Sequence, residues 1–241
     1  MEYLNGVTLK QYTEKMPDKK LSYEEVLRIT QGVIAALKDL HKKGIIHRDI
    51  SPDNIIMCKD GTVKLIDFGA ARFTVETEEE RTRSIILKPG FSPAEQYQSK
   101  GKQGPWTDIY ALGATMYRAI TGVLPEESTD RVVNDELKEP IYYAPQMPQY
   151  LNNILMKCMA VQPELRFQTV ESLEAALYRK RKVTSTKKEL FRRKLARAAL
   201  IAVIAFGFLL LGINEYRYIQ DIKNKANLEK TEVTIWVPIS N

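Results

Sequence analysis

The stretch IIHRDISPDNIIM, Ile45–Met57, places a histidine, an arginine, two aspartates and an asparagine between two pairs of isoleucines. Apolar flanks favour burial, and a buried polar group costs free energy unless it is hydrogen-bonded or paired with an opposite charge. So many polar groups at such a place indicate a function that outweighs this cost. We therefore take Asp49 and Asn54 as the starting points of a functional site.

A third oxygen-bearing side chain follows shortly after this stretch. The segment NIIMCKDGTVKLIDFG, residues 54–69, alternates in polarity and turns at Lys59-Asp60-Gly61, which predicts a hairpin of two short strands. A hairpin can bring the loop before it and the turn after it to the same edge, so Asp67 is expected near Asp49. Such a cluster of hard oxygen atoms suits Mg²⁺, and a carboxylate left free of metal can accept or orient a hydroxyl proton.

Helices account for most of the remaining pattern in this part of the chain. In SYEEVLRITQGVIAALKDLHKKG, Ser22–Gly44, apolar residues recur at helical spacing, Ser22 and Glu25 have the spacing of a capping box, and Gly44 can end the helix. His41 is expected at the surface near the end of this helix. The other long helices are predicted at residues 107–122, 148–160 and 169–180.

Positive charge is concentrated in one segment. Residues 179–197, RKRKVTSTKKELFRRKLAR, hold ten of the 36 Lys and Arg residues and one of the 30 Asp and Glu residues. The rest of the chain then has 26 basic and 29 acidic residues, so the pI near 9 does not indicate a nucleic-acid-binding surface. Cys58 and Cys158 lie outside any CxxC pair, which argues against a zinc site or a disulfide framework.

The basic segment is followed by AALIAVIAFGFLLLGI, Ala198–Ile213, sixteen apolar residues without interruption. As a helix they cover about 24 Å, and an extension to 195–216 reaches the ~30 Å of a bilayer core if Arg197 snorkels. The alternative is a buried core helix, but the segment is apolar on all sides and flanked by charge. The positive-inside rule then predicts a cytoplasmic N-terminal part and an external C-terminus. In the tail, TEVTIWVPI, residues 231–239, alternates like a strand.

Four motifs in a fixed order carry a resemblance to a known family. HRDISPDN, DFG, SPAEQY and TDIYALG resemble the C-terminal lobe of a eukaryotic-type serine/threonine protein kinase, and the apolar segment after a basic linker resembles the bacterial receptor-like members. The resemblance implies a mainly α fold with a small β-hairpin, followed by one transmembrane helix. The implied organisation is a kinase C-lobe at 1–178, a juxtamembrane linker at 179–197, a transmembrane core at 198–213 and an extracytoplasmic stub at 214–241.

The resemblance also assigns chemical roles. Asp49 matches the aspartate that accepts or orients the substrate hydroxyl, while Asn54 and Asp67 match the two Mg²⁺ ligands that hold the metal on ATP. The implied reaction is transfer of the γ-phosphoryl group of ATP to serine or threonine of a protein substrate. The N-terminal MEYLNG resembles the hinge strand that borders adenine. Its residues predicted to bind the nucleotide are Met1, Glu2 and Tyr3.

Supporting residues follow in the same way. Arg48 matches the arginine that pairs with a phosphorylated activation segment. Glu95 matches the glutamate that closes this segment, and Arg166 in QPELRF matches its buried partner. Asp108 matches the aspartate that holds the backbone of the catalytic loop. The predicted phosphorylation sites in the segment are Thr82 and Ser84.

The chain departs from the family two residues after Asp49. Kinases that resemble it carry lysine there, whereas this chain has Ser51, and counting back from Glu95 places Lys88 where the family usually has threonine. The two residue types are thus exchanged. We hypothesise that Lys88 supplies the missing positive charge and hydrogen-bonds Ser51 or Asp49, which its flexible stem allows. The alternative is a weakened kinase in which Lys88 is an exposed loop residue.

A second departure is that no Gly-rich loop and no phosphate-binding strand lysine precede MEYLNG. We therefore expect little phosphoryl transfer from these 241 residues alone and interpret them as a truncated form of a longer kinase. A membrane-tethered pseudokinase or binding module is the main alternative. A small-molecule phosphotransferase is disfavoured because SPAEQY resembles a protein-substrate activation segment. The expected partners are protein substrates, ATP, the membrane with its anionic lipids, and a second copy for trans-autophosphorylation, but no nucleic acid.

Overall fold

The computed structural model describes residues 4–67, 72–73, 87–178, 183–184 and 186–235 of the chain. The chain divides into two compact units, with the boundary between Thr186 and Lys187. The first unit is mainly helical with little sheet, and a single long apolar helix fills the described part of the second. The predicted fold class is therefore confirmed.

The helices of the described residues are α1 (Leu9–Glu14), α2 (Tyr23–Lys42), α3 (Pro105–Thr121), α4 (Ser128–Val133), α5 (Pro140–Tyr143), α6 (Gln149–Cys158), α7 (Val170–Tyr178) and α8 (Thr186–Ile235). The three longest predicted helices of the first unit correspond to α2, α3 and α6, and α7 follows them. The short helices α4 and α5 were not predicted, because four to six residues are too few to show a helical period.

The predicted hairpin is present and has a third strand. β3 (Ile55–Cys58) and β4 (Val63–Leu65) pair antiparallel, and β1 (Gly6–Thr8) pairs with the other edge of β3. In the turn between β3 and β4, the Asp60 carboxylate accepts hydrogen bonds from the backbone and the hydroxyl of Thr62. This Asx-type turn fixes the register of the hairpin and thus the position of Asp67 after it.

A second, smaller sheet flanks the stretch Ile45–Met57. β2 (Ile45–Ile46) pairs antiparallel with β5 (Arg72–Phe73). The polar part of the stretch Ile45–Met57 is therefore a loop, residues 47–54, which runs between β2 and β3. Because a strand lies directly before and directly after this loop, its backbone is anchored at both ends.

Helix α2 begins and ends as the sequence predicts, but the Glu25 carboxylate of the predicted capping box binds a side chain of α1. The Ser22 hydroxyl accepts a hydrogen bond from the backbone N–H of Glu25 at 3.2 Å. The Glu25 carboxylate accepts the hydroxyl of Tyr12 at 2.7 Å, which ties α1 to α2. Gly44 has φ 71°, the left-handed conformation in which glycine commonly terminates a helix.

Helix α3 forms the centre of the first unit. All its residues from Thr107 to Met116 are buried, and it packs against α2, α6 and α7. Gly113 allows the closest approach to α6, because a Cβ added there would lie 2.6 Å from the Cβ of Cys158. The helix begins with Pro105, whose ring suits a first helical turn, and this places Asp108 at the buried N-terminal end.

In the second unit, α8 covers the end of the basic segment, the whole apolar segment and much of the tail. Residues 190–226 have a mean hydropathy of 2.3 over their most apolar window and are long enough to cross a membrane. The predicted strand in the tail is wrong where the structure describes it, since residues 231–235 are helical. Alternation over so few residues does not distinguish a strand from one side of a continuing helix.

Candidate active site

Asp108, at the start of α3, holds the backbone of loop 47–54. Its carboxylate is fully buried and accepts the backbone N–H groups of His47 at 2.9 Å and Arg48 at 2.8 Å. The Nε2 atom of His41 lies 2.8 Å from the same carboxylate. Three partners on one buried carboxylate fix the loop against both α2 and α3, because a buried charge must be compensated by hydrogen bonds or opposite charge.

Asp49 and Asn54 are joined directly at the two ends of the loop. Asn54 Nδ2 donates to the Asp49 backbone carbonyl and to Asp49 Oδ2, both at 2.8 Å. The second carboxylate oxygen, Oδ1, lies 3.0 Å from Nζ of Lys88. The carboxylate is therefore held from two sides while its side chain stays 18% exposed. It has lone pairs left to accept a hydroxyl from a substrate.

Lys88 reaches this carboxylate from another part of the chain. Its Nζ also lies 3.0 Å from the hydroxyl oxygen of Ser51, which is fully buried. Lys88 thus contacts both Ser51 and Asp49, the two partners that the sequence analysis considered for it. The Lys88 side chain is 27% exposed, so it is partly buried against the loop.

The turn after β4 brings Asp67 to the same edge. The backbone N–H of Ile66 donates to the carbonyl of Asn54 at 2.9 Å, and the Ile66 carbonyl lies 3.2 Å from Nε2 of His47. Asp67, the next residue, has φ 64°. A left-handed backbone is unfavourable for a residue with a Cβ, although aspartate tolerates it better than most, and such residues cluster at functional sites.

Asn54 and Asp67 offer the kind of atoms that Mg²⁺ binds. Both N–H bonds of the Asn54 amide are directed at Asp49, so its Oδ1 is the atom that remains for a ligand. Within the described ranges, no group of three or more His, Cys, Asp and Glu side chains forms a metal cage. Two oxygen ligands nevertheless fit Mg²⁺, which commonly uses one or two protein oxygens and completes its shell with water and phosphate.

Glu95 and Arg166 form a buried bidentate pair below the segment that carries Lys88. Arg166 Nη1 lies 2.6 Å from Glu95 Oε1 and Nη2 lies 3.1 Å from Oε2. The hydroxyl of Thr107 also donates to Glu95, and the Arg166 guanidinium lies over the ring of Tyr110 at 4.7 Å. This network joins the short 3₁₀ turn Ala94–Gln96 to the N-terminal end of α3, next to Asp108.

The motifs around this arrangement agree with one family. The protein kinase domain family matches residues 1–178. The chain belongs to the protein kinase family. Its kinase region is 30% identical over 179 residues to the probable serine/threonine-protein kinase PknB of Lactococcus lactis and 33% identical over 182 residues to the serine/threonine-protein kinase PrkC of Bacillus subtilis.

These matches cover 72% and 73% of this chain, and 28% of the length of each relative. The chain thus spans less than a third of the length of these curated relatives. The crystal structure of the PknI kinase domain of Mycobacterium tuberculosis has a TM-score of 0.57 at 24% identity and covers 74% of this chain and 64% of that one. This likeness establishes a shared kinase fold.

Several predicted residues of the kinase site lie outside the described part. The predicted adenine-bordering residues Met1, Glu2 and Tyr3 lie there, and so do the predicted phosphorylation sites Thr82 and Ser84. Their roles stay predictions, as does the pairing of Arg48 with a phosphorylated segment. The structure does show that the Arg48 carbonyl accepts Nε2 of Gln96 at 2.8 Å, which links loop 47–54 to the kinase segment around Glu95.

His41 is the clearest residue that sequence reasoning misplaced. It was expected at the surface, but its side chain is 9% exposed and contacts Asp108. Its position near the end of a helix suggested exposure, whereas its ring reaches the buried carboxylate of Asp108 at the start of α3. Nothing in the pattern LHKKGIIH indicates that the ring of His41 and the backbone N–H of His47 contact the same carboxylate.

His47 is held as a neutral imidazole. Burial lowers the pKa of its ring below the usual value, and the nearby carboxylate of Asp108 opposes this shift only in part. The contacts fit one tautomer, in which Nε2 donates to the Ile66 carbonyl and Nδ1 accepts the backbone N–H of Asp49 at 3.3 Å. His47 therefore supports the loop and is not placed to act as a general base.

Proposed function

We propose that this chain forms the catalytic lobe of a membrane-anchored kinase that transfers the γ-phosphoryl group of ATP to serine or threonine hydroxyls of protein substrates. The observation that carries the proposal is the Asp49 carboxylate, held by Asn54 on one oxygen and by Lys88 on the other while still open to solvent. A carboxylate oriented in this way next to metal-binding oxygens suits phosphoryl transfer to a hydroxyl. The names of the PknB and PrkC relatives support the choice of serine and threonine.

In the proposed mechanism, Asp49 accepts the hydrogen bond of the substrate hydroxyl and directs its oxygen at the γ-phosphorus. As the new phosphorus–oxygen bond forms, the bond from this phosphorus to the oxygen that bridges to the β-phosphate breaks, and the hydroxyl proton passes to Asp49. Mg²⁺ on Asn54 and Asp67 would neutralise charge on the triphosphate. Asp108 keeps the loop in the position that these contacts require.

The membrane part of the proposal rests on α8 and the charge around it. A helix over residues 190–226 is long and apolar enough to span a bilayer. Ten basic residues lie in 179–197, whereas residues 214–241 hold four basic and four acidic residues. By the positive-inside rule the kinase lobe is cytoplasmic and the C-terminus is external. Basic side chains at the inner surface also favour contact with anionic lipid, at about 1 kcal/mol each.

The test is phosphoryl transfer by the full-length gene product in lipid vesicles with ATP, Mg²⁺ and a mixture of serine- and threonine-containing proteins. Asp49→Asn should lower kcat by at least about 100-fold, because general-base assistance and orientation of the hydroxyl are lost. Asp53→Asn is the matched control, since Asp53 lies four residues away and its ion pair with Lys10 is exposed. Equal activity of the two variants would contradict the proposed role of Asp49.

A further inference from the structure

Lys88 occupies a position from which it can act on the transferred group itself. We propose that Lys88 is the catalytic cation of the phosphoryl transfer, and that Ser51 holds its ammonium beside Asp49. This inference rests on the proposed function and deepens it, because it assigns the positive charge at the phosphoryl group to a residue outside the catalytic loop.

The contacts of Lys88 leave it able to bind a further acceptor. Among the described residues, Nζ donates to Ser51 Oγ and to Asp49 Oδ1, each at 3.0 Å. An ammonium group has three N–H bonds, so one remains. The side chains of Lys88 and Asp49 are 27% and 18% exposed, so the pair lies at the opening of the site and is not sealed in the core. Ser51, in contrast, is fully buried, so its hydroxyl oxygen is a fixed hydrogen-bond acceptor for the Lys88 ammonium.

The backbone of Lys88 is anchored, which gives its ammonium a defined position. Its N–H donates to the Ser92 hydroxyl at 3.0 Å, and its carbonyl accepts the N–H groups of Phe91 and Ser92, both at 3.0 Å. The turn is completed by Gly90 at φ 80°. The Ser92 carbonyl accepts the buried hydroxyl of Ser128 at 2.8 Å, which fastens the turn to α4.

The reaction places negative charge next to this ammonium. While the substrate oxygen bonds to the γ-phosphorus and the bond to the bridging oxygen breaks, the three other oxygens of the phosphoryl group carry the charge between the two partners. The hydroxyl lies on Asp49, so the phosphoryl group lies beside the cation that touches Asp49. A preorganised cation at such a place stabilises the transition state more than the ground state.

The positive charge of Lys88 and the carboxylate of Asp49 come from different parts of the chain, which offers a way to control the site. Loop 47–54 supplies Asp49 and Asn54, but the cation comes from the turn Lys88–Ser92. A shift of this turn therefore removes the stabilising charge and one of the two partners of Asp49 together. Catalysis then depends on the position of the turn even when the loop itself is intact.

The experiment measures kcat of the full-length gene product in vesicles for Lys88→Thr, for Ser51→Lys and for the double swap, with ATP and Mg²⁺. Lys88→Thr should lower kcat about 100-fold or more, in the range known for loss of one preorganised donor to a transition-state oxygen. The double swap should recover at least tenfold, because it returns an ammonium to the same space. Lys102→Thr removes an exposed lysine from the same region and should leave kcat unchanged.

Because Ser51 is buried, Ser51→Lys and the double swap are first checked for folding by thermal unfolding. Lys88→Met, which keeps the length of the stem, provides an independent measurement through the ratio of rates with ATP and with its γ-thio analogue. Loss of a cation that touches the transferred group changes this ratio, whereas loss of a purely structural ion pair lowers both rates in proportion.

An unchanged ratio in Lys88→Met, or wild-type kcat in Lys88→Thr, overturns the role of Lys88 and leaves the proposed function standing. A wild-type protein without phosphoryl transfer overturns the proposed function and this inference with it. A changed ratio together with recovery in the folded double swap supports both.

Discussion

At the residue scale, the buried pair of Arg166 and Glu95 should dominate the stability of the kinase lobe. Arg166 has no exposed side-chain surface, and Glu95 has 6%. Replacing Arg166 with Met leaves the carboxylate buried without its cation, which should lower the free energy of unfolding by about 3–5 kcal/mol. Denaturant unfolding of the full chain in detergent micelles measures this change.

Lys10→Met is the matched control for that experiment. Lys10 and Asp53 form an ion pair of similar length at 3.1 Å, but their side chains are 54% and 45% exposed. Water already solvates both charges, so the loss should be a small fraction of that in Arg166→Met. Similar losses in the two variants would contradict the assignment of the Arg166 pair as a buried structural element.

His47 should make the stability of the lobe depend on pH. Burial lowers its pKa in the folded state, so between this value and the unfolded pKa of about 6.5 the unfolded chain binds more protons. The free energy of unfolding should therefore fall as pH decreases through this window. Protonation of Nδ1 would also turn this atom into a donor that faces the N–H donor of the Asp49 backbone, so their hydrogen bond would be lost.

The measurement is the denaturant midpoint from pH 8 to pH 5 for wild type and for His47→Gln. The variant should be less stable at pH 8 but should lose less stability on acidification, because the imidazole whose pKa is lowered by burial is then absent. Parallel pH profiles of the two proteins would show that His47 does not cause the dependence.

At the element scale, the N-terminal end of α3 is the anchor of loop 47–54. Asp108→Ala should free the backbone N–H groups of His47 and Arg48, which this carboxylate accepts. Hydrogen exchange of the peptide 45–57 should then accelerate by at least tenfold, while the α6 peptide 149–158 changes little. Asp53→Ala, within the same loop, is the control and should leave exchange at positions 47 and 48 as in wild type.

The elements also show how far sequence reasoning reaches. The helices α2 and α3 could be predicted because apolar residues recur along them and glycines follow their ends. The strands β1, β2 and β5 could not, since two or three residues are too short for alternation and their partners are distant in sequence. In the site, the loop motif indicated Asp49 and Asn54. The contacts that hold them, above all His41 with Asp108, arise from tertiary folding that no local pattern encodes.

At the scale of the whole molecule, the proposed topology can be tested in cells. Cysteines introduced one at a time as Thr184→Cys and Asn224→Cys flank the apolar segment in α8. A membrane-impermeant maleimide should label the cysteine at 224 in intact cells and the cysteine at 184 only after the membrane is opened. The opposite pattern would reverse the orientation, and labelling of both in intact cells would exclude the span.

The close packing of α3 against α6 makes the thiol of Cys158 a probe for opening of the kinase lobe. The Cys158 thiol is completely enclosed at this contact, and burial raises its pKa to about 12. Cys58 is half-buried on β3 and is the other native thiol. A short pulse of iodoacetamide near neutral pH should thus modify Cys158 only in molecules whose lobe has opened. Mass spectrometry of that one peptide counts the opened fraction, without any engineered label.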